Sequence, residues 1–329
     1  MSISYKDSGV DIEKGDETVA KIKPLVKSTH NKNVLSNIGL FGGFYELNFK
    51  EYDQPVIVAS TDGVGTKLKI AFVTGIHHTI GQCLVNHCIN DILACGAKPL
   101  FFLDYFATGK LNPNIAVEVI KGFTIACKEN DVALIGGETA EMPSIYSEGE
   151  YDVSGTIVGI VEKNKIINGS KIKKGDLMIG LSSTGLHTNG YSLARAALFP
   201  KYNIDQYFEE LQSTLGEALL KIHKCYYKTI YNLIEKELIN GISHITGGGI
   251  EGNTKRILHD DLKMQINWNA WSRPIIFEII QKSGKIEEEE MRKAFNLGIG
   301  LILIIDENNL DLVLETCKND NPIVIGKII

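Results

Sequence analysis

Apolar runs of strand length recur along the whole chain, and many of them are followed at once by a glycine-rich loop. These runs alternate with segments of helical periodicity, which predicts an α/β or α+β fold in which helices pack on sheets. The predicted strands cover residues 56–59, 100–106, 133–135, 154–161, 177–181, 301–305 and 323–328. The clearest predicted helices cover residues 79–95, 112–130 and 190–198.

A polar, basic and glycine-bearing stretch at residues 164–175 predicts a domain boundary. We therefore expect an N-terminal domain of residues 1–165 and a C-terminal domain of residues 166–329. A chain of 329 residues is long enough for two domains with sizeable cores. Such cores need no disulfide or metal ion for their stability.

The composition excludes several classes of protein. The net charge of −6 argues against a nucleic-acid binder, because that function needs a basic surface. The sequence has neither a signal-like apolar region at its N-terminus nor an apolar run of membrane-spanning length, so we expect a cytoplasmic protein without a membrane partner. Cys83, His87 and Cys88 lie close together, but buried free thiols are favoured over a zinc site.

The glycine-rich loop at residues 60–68, STDGVGTKL, has neither P-loop nor dinucleotide-fold spacing. It nevertheless places a carboxylate and a lysine around Gly63 and Gly65, where backbone N–H groups can approach an anion. Asp62 can hold Mg²⁺, and Lys67 can neutralise a phosphate oxygen. Taken alone, the loop is equally well explained as a hairpin with an exposed acid and base.

Two further acidic positions extend this pattern. Asp91 falls one helical turn after His87, on a face that is either functional or an ordinary polar surface. Glu138 follows a predicted strand in the sequence GGETAEMP, where Glu141 is interpreted as a simple loop acid. Asp62, Asp91 and Glu138 could together supply the carboxylates that Mg²⁺ uses beside phosphate oxygens.

The loop at residues 182–192, SSTGLHTNGYS, opens a predicted helix that carries Arg195. A helix N-terminus with hydroxyl side chains and an arginine one turn later suits a substrate phosphate. His187 lies in the loop and not on an apolar face, so substrate contact and a structural role stay equally open. A further glycine-rich loop, HITGGG, occupies residues 244–249, whereas structure alone could account for the turn at residues 295–300.

Taken in order, these motifs resemble those of the phosphoribosylformylglycinamidine cyclo-ligase (AIR synthetase) family. The resemblance covers nearly the whole chain, and FFLDYFATGKL and GGETAEMP separate it from related families such as selenophosphate synthetase and thiamine-monophosphate kinase. The segments that carry it are residues 4–16, 60–68, 90–91, 101–111, 136–143, 184–195, 244–249 and 295–300.

The resemblance implies a homodimer in which each N-terminal domain supplies four strands to a shared β-barrel with helices outside. It implies a C-terminal α/β domain with a mixed sheet, and an ATP site bordered by both halves. The implied reaction converts formylglycinamidine ribonucleotide and ATP into aminoimidazole ribonucleotide, ADP and phosphate, in purine biosynthesis. The alternatives are a related phosphotransferase, with an acceptor such as thiamine monophosphate, and a nucleotide-binding paralogue without turnover.

The resemblance also implies roles for individual residues. The implied catalytic residues are Asp62, Lys67 and His187, and the implied Mg²⁺ ligands are Asp62, Asp91 and Glu138. The implied ATP contacts are Lys23, Gly42, Gly43, Gly63, Gly65, Thr66, Lys67, Asp91, Gly137 and Glu138. The implied substrate contacts are Ser183, Gly185, His187, Thr188, Asn189, Gly190, Arg195, Thr246, Gly247 and Gly248. The chain departs from the family at residues 222–226, IHKCY, where PTRIY is usual, so Lys224 stands in place of an arginine.

Overall fold

The N-terminal half of the computed structural model, which describes residues 5–329, is built on a four-stranded sheet. Its strands are β1 (Pro55–Gly63), β2 (Lys98–Thr108), β3 (Ala133–Glu141) and β4 (Tyr151–Glu162). They lie in the order β1-β4-β2-β3, with β4 antiparallel to both of its neighbours and β3 parallel to β2. The predicted α/β character is therefore confirmed.

Four helices accompany this sheet: α1 (Ile12–Lys27), α2 (Leu68–Thr74), α3 (His78–Leu93) and α4 (Pro113–Glu129). α3 packs on the sheet and against α4. Two glycines permit this close approach, because a Cβ at Gly81 would lie 2.2 Å from the carbonyl oxygen of Val119, and one at Gly122 would lie 2.1 Å from that of His78. The packing fixes the last turn of α3, which carries Asp91, beside β1.

The C-terminal half contains the remaining strands, which are β5 (Leu177–Ser182), β6 (Tyr207–Phe208), β7 (Ser213–Thr214), β8 (Gly241–His244), β9 (Met264–Ile266), β10 (Ile299–Ile305) and β11 (Ile323–Ile328). Its helices are α5 (Tyr191–Leu198), α6 (Leu215–Leu219), α7 (Tyr227–Glu235), α8 (Gly249–Lys255), α9 (Ile275–Gly284), α10 (Glu288–Ala294) and α11 (Leu310–Thr316). Five strands form the main sheet in the order β8-β10-β5-β11-β9, while β6 and β7 pair separately.

The mixed sheet expected in the C-terminal half is not what the structure shows. All four neighbouring pairs of the five-stranded sheet are antiparallel. β10 and β11 are joined through α11 and do run parallel to each other, as a helical crossover requires. However, β5 lies between them and pairs with both, and sequence patterns do not reveal such an inserted strand.

Two segments expected to be loops are continuations of strands. β1 extends through Gly63 and therefore includes Asp62, while β3 extends through Glu141 and includes Gly137 and Glu138. Backbone pairing with β4 and β2 overrides the low strand propensity of glycine at these positions. Among the residues that the structure describes, every helix is too short or too polar to span a bilayer.

Candidate active site

Two carboxylates of the N-terminal half meet at one buried histidine. Nε2 of His87 lies 2.7 Å from Oδ2 of Asp62 and 3.8 Å from Oδ2 of Asp91, while Ser60 donates a hydrogen bond of 2.9 Å to Asp91. The side chain of Asp62 is 45% exposed and that of Asp91 is 25% exposed. The end of β1 and the last turn of α3 thus present two adjacent, accessible carboxylates, as the helical spacing of His87 and Asp91 predicts.

The electrostatics of this group favour charged carboxylates. Burial acts to raise the pKa of Asp62, but the hydrogen bond and charge of His87 outweigh it and leave the pKa below its ordinary value. Burial likewise acts to raise the pKa of Asp91, yet the contact with His244 lowers it overall. For His87, burial lowers the pKa but the two carboxylates raise it more. Both acids therefore stay ionised and able to bind cations near neutral pH.

Histidines from the C-terminal half complete the cluster. His244 places Nδ1 at 2.8 Å from Oδ1 of Asp91, and its Nε2 lies 3.1 Å from Nε2 of His223. The ring of His187 stacks on that of His223 with the centroids 4.0 Å apart. Burial, followed by neighbouring positive charge, lowers the pKa of His187 and His223 well below the ordinary value. These two rings are therefore neutral.

The loop after β5 holds His187 in an unusual backbone conformation, with φ of 61°. Its Nε2 accepts hydrogen bonds from the backbone N–H groups of Thr184 and, at 3.5 Å, Lys224. This contact assigns the proton of the neutral ring to Nδ1, which has no hydrogen-bond partner among residues 5–329. An unpartnered buried donor of this kind is a candidate for contact with a substrate.

The other residues of this loop are positioned by contacts with neighbouring segments. Ser183 contacts Asn296, which also donates to the carbonyl oxygen of Gly185. Gly190 adopts φ of 80°, and a Cβ there would lie 2.3 Å from the ring of Phe295. The Thr188 hydroxyl hydrogen-bonds to Nδ1 of His87. Asn189 faces Gly247, where an added Cβ would lie 3.2 Å from Oδ1 of Asn189. Thr188 thus reaches Asp62 and Asp91 through His87, while Asn296, Phe295 and Gly247 contact the other residues of the loop.

Lys67 is fully buried and faces the interior. Its Nζ contacts Sγ of Cys83 at 3.1 Å and donates to the carbonyl oxygens of His187 at 2.9 Å and Lys221 at 2.7 Å. These contacts occupy its three N–H donors. The lysine therefore ties the first glycine-rich loop to the C-terminal half, and its expected phosphate contact would require release from all three partners. Thr66 makes a similar link, with its hydroxyl 2.9 Å from that of Ser192.

Glu138 lies apart from the other expected Mg²⁺ ligands. The strand register aligns Glu138 with Tyr105 on β2, Ser154 on β4 and Gly63 on β1. Three strand spacings separate β3 from β1, which is about 14 Å. One ion therefore cannot bind both Glu138 and Asp62 of the same chain in this conformation.

Glu138 instead borders a groove of about 640 Å³ between β3, α1 and the loop at residues 39–43. Gly42, Gly43, Gly137 and Asp104 also line it. A Cβ at Gly43 would lie 2.8 Å from the carbonyl oxygen of Ile135, so glycine allows the loop to lie directly on β3. Lys23 is exposed on α1, the helix that forms one wall of this groove.

Arg195 on α5 contacts the ring of Phe199, and its Nε has no hydrogen-bond partner among the described residues. Thr246 hydrogen-bonds to Asn253, while the amide of Asn253 contacts the carbonyl oxygen of Gly247. Gly248 adopts φ of 102° at the start of α8. Lys224, which stands in place of the usual arginine, forms an ion pair of 2.6 Å with the buried Asp320.

The sequence analysis did not predict the roles of His223 and His244 in the cluster. Both residues are distant from Asp91 in the sequence and approach it only in the folded chain. The one signal for His223 is its departure from the usual PTRIY sequence.

Matches to known proteins agree with this fold and site. Residues 48–161 match the family model described as AIR synthase related protein, N-terminal domain, and residues 173–329 match the corresponding C-terminal domain. The two sheets and the cluster between them thus define a protein of the AIR synthase-related class. A phosphoribosylformylglycinamidine cyclo-ligase of Thermodesulfovibrio yellowstonii is 51% identical, with 99% of this chain and 96% of that protein covered. The chain belongs to the phosphoribosylformylglycinamidine cyclo-ligase family.

Another relative with that name, from Pseudothermotoga lettingae, is 46% identical and covers 100% of this chain and 98% of its own length. Among solved structures, thiamine-monophosphate kinase from Stenotrophomonas maltophilia superposes with a TM-score of 0.69 at 15% identity, covering 94% of this chain and 93% of that one. The hydrogenase maturation protein HypE in complex with ATP gives 0.66 at 14% identity, covering 95% and 86%. These structural matches establish the shared fold alone.

Proposed function

We propose that the chain closes the imidazole ring of aminoimidazole ribonucleotide from formylglycinamidine ribonucleotide, using ATP and releasing ADP and phosphate. The observation that carries the proposal is the meeting of Asp62 and Asp91 with the His187 loop of the other half. Relatives about 50% identical over nearly their full length carry the cyclo-ligase name. The proposed division of labour assigns nucleotide binding and dimer formation to residues 1–165 and substrate binding to residues 166–329, in the cytoplasm.

The chemistry explains why two ligand sites must adjoin. Ring closure by the neighbouring nitrogen expels the formyl oxygen, which is a poor leaving group as hydroxide. Transfer of the ATP γ-phosphoryl group to that oxygen converts it into phosphate, a far better leaving group. Phosphoryl transfer depends mainly on positioning and charge neutralisation. A protein that performs it must hold ATP on one side and the formyl group on the other, as the two halves of this chain can.

The residues at the cluster fit Mg²⁺ in part. Asp62 and Asp91 are adjacent, accessible and held in the ionised form, and carboxylate oxygens are the ligands Mg²⁺ prefers. When bound there, the ion would neutralise charge on the phosphoryl group during transfer. Glu138 does not join them within one chain, so we assign it to the groove beside β3. Lys67 is assigned to holding the His187 loop in place.

For the nucleotide, we propose the surface formed by the groove at residues 39–43 and the end of β1. Both places contain glycines, which allow backbone to approach a phosphate group closely. The proposed contacts are Lys23, Gly42, Gly43, Gly63, Gly65, Thr66, Asp91, Gly137 and Glu138. HypE and PurL have been solved with ATP and AMPPCP respectively, which supports an ATP site in this fold.

We propose that the phosphorylated substrate binds to the side of the cluster that the C-terminal half forms. Arg195, one turn into α5, is a cation whose Nε has no hydrogen-bond partner among residues 5–329, which makes it a suitable place for a phosphate group. The Nδ1–H of His187 is available to donate to the formyl or amidine group during closure. The proposed contacts also include Ser183, Gly185, Thr188, Asn189, Gly190, Thr246, Gly247 and Gly248.

A homodimer is proposed from the open face of the N-terminal sheet. Along β1 the residues alternate in exposure, and Ile57 on the outer face is 50% exposed. Apolar sheet faces of this kind are ordinarily covered by another layer. A second copy packed here would allow two four-stranded sheets to form the shared barrel, which removes the open edges of both sheets.

The test is to incubate the protein with MgATP and formylglycinamidine ribonucleotide and to measure aminoimidazole ribonucleotide and ADP together. We expect equal amounts of both products. ADP release with thiamine monophosphate, without ring closure, would support the related phosphotransferase instead, and nucleotide binding without any turnover would support an inactive paralogue. Asp62→Asn should lower kcat by on the order of 10²-fold, whereas Asp260→Asn, an exposed position between α8 and β9, should leave it unchanged.

A further inference from the structure

Three buried histidines from separate parts of the chain meet at the boundary between its two halves. His87 comes from α3, His244 from the end of β8, and His223 from the segment between α6 and α7. They are 3%, 7% and 0% exposed. One ring nitrogen from each lies within 4.8 Å of those from the other two. Buried imidazoles converge in this way rarely unless they share a ligand or a hydrogen-bond network.

The spacing of the rings matches coordination of one metal ion. The three pairs of ring centroids are 5.0, 5.1 and 5.2 Å apart, and the interplanar angles are 61° to 70°. A tetrahedral zinc ion with Zn–N bonds of about 2.05 Å places its imidazole centroids roughly 5 Å apart, since each centroid lies about 1.1 Å behind its nitrogen. Two ligand nitrogens on such an ion are about 3.3 Å apart. Nε2 of His223 and Nε2 of His244 are 3.1 Å apart.

Each of the three rings is also anchored by an oxygen on another side chain. His244 contacts Asp91 through Nδ1. The Thr188 hydroxyl lies 2.8 Å from Nδ1 of His87 and 3.3 Å from Nδ1 of His223. Histidines that ligate metals are ordinarily oriented by such a partner on the second nitrogen. These anchors use Nδ1 of each ring and leave the three Nε2 atoms for the ion. Nε2 of His223 and Nε2 of His244 face one another, and Nε2 of His87 lies 2.7 Å from Oδ2 of Asp62.

We propose that His87, His223 and His244 form a binding site for a transition-metal ion of the Zn²⁺ type, which ties α3 to the C-terminal half. Imidazole nitrogens select Zn²⁺, Co²⁺, Ni²⁺ or Cu²⁺ over Mg²⁺, whose preferred ligands are oxygens. The site is separate in ligand chemistry from the carboxylates assigned to Mg²⁺. It is not a requirement of the proposed reaction, because no step of the proposed ring closure uses an ion held by imidazoles.

Cobalt absorption tests the site directly, because tetrahedral Co²⁺ bound by nitrogen ligands absorbs visible light strongly. Metal-stripped full-length protein is titrated with Co²⁺ and then with Zn²⁺ in the presence of excess Mg²⁺. We expect one equivalent of Co²⁺ to bind with a visible band, Zn²⁺ to displace it, and Zn²⁺ to raise the thermal midpoint. The readouts are independent of turnover, so the outcome is separable from that of the ring-closure assay.

The variants are chosen to keep the fold. His223→Thr removes one proposed ligand nitrogen and should weaken Co²⁺ binding about 10-fold to 100-fold, with loss of the visible band. His87→Gln should do the same. His78→Gln changes an exposed histidine on the same helix and should bind as the unaltered chain does. Absence of stoichiometric binding, binding unchanged by His223→Thr, or a thiolate–cobalt band from Cys83 would each overturn the proposal.

Discussion

Asp104 of β2 provides a prediction whose size follows from its surroundings. Its carboxyl group faces Gly137 closely: a Cβ added to Gly137 would lie 2.2 Å from Oδ1 of Asp104. Burial raises its pKa from 3.8 to about 7; its own backbone N–H opposes the rise, and the charge of Glu138 adds to it. Between these two pH values the folded chain holds a proton that the unfolded chain has lost. The free energy of unfolding must therefore fall as pH rises from about 4 to 7.

The magnitude follows from the shift of roughly 3 pKa units at about 1.36 kcal/mol each, which gives about 4 kcal/mol. Asp104→Asn keeps the shape of the protonated acid and cannot ionise. We expect the variant to match the unaltered chain at pH 4 and to be more stable by about 4 kcal/mol above pH 7. The assay is urea unfolding at a series of pH values between 4 and 8.

The control for this experiment is Asp260→Asn, which alters an exposed carboxylate between α8 and β9. It should change the unfolding free energy by less than about 0.5 kcal/mol at every pH. Glu138→Gln should reduce the pH dependence without removing it, because the charge of Glu138 is a lesser cause than burial. A constant difference between Asp104→Asn and the unaltered chain across the pH series would refute the reasoning.

Three further substitutions test the packing around the site and the binding of the substrate. Lys67→Met should lower the unfolding free energy by about 1–3 kcal/mol, because the buried carbonyl oxygen of Lys221 loses its donor and that of His187 keeps only the Tyr191 hydroxyl. Unchanged stability with weaker ATP binding would instead support a phosphate contact. Gly300→Ala should cost about 1–3 kcal/mol, since its Cβ would lie 2.1 Å from the Tyr226 hydroxyl. Gly252→Ala, which has open space, is its control. Arg195→Ala should raise the KM of the phosphorylated substrate about 10-fold with little change for ATP, and equal losses for both ligands would contradict its assignment.

The sequence indicates which residues carry chemistry better than it indicates where they meet. The candidate role of Asp62 is predicted from its position at the end of a strand, and that of Asp91 from its spacing of one helical turn after His87. Both patterns are local in the sequence. Glu138 has an equally clear motif, but its distance from Asp62 depends on the strand order β1-β4-β2-β3. Strand order is set by long-range packing, which a pattern of residues in one chain does not specify.

Lys67 illustrates a second limit. A lysine beside two glycines is typical of phosphate binding, and the side chain is long enough to point either way. Its direction is decided by two carbonyl oxygens and Cys83, which lie 16 to 154 positions away in the sequence. The histidine cluster has the same origin, because His87, His223 and His244 approach one another only after the two halves pack together.

In the proposed reaction, the formyl oxygen of formylglycinamidine ribonucleotide leaves as phosphate after phosphoryl transfer from ATP. The most direct measurement uses substrate labelled with ¹⁸O at the formyl oxygen, followed by mass analysis of the phosphate released. Our account predicts one ¹⁸O atom in each phosphate and none in water. Label appearing in water, with unlabelled phosphate, would show that ATP is hydrolysed separately from ring closure and would contradict the account.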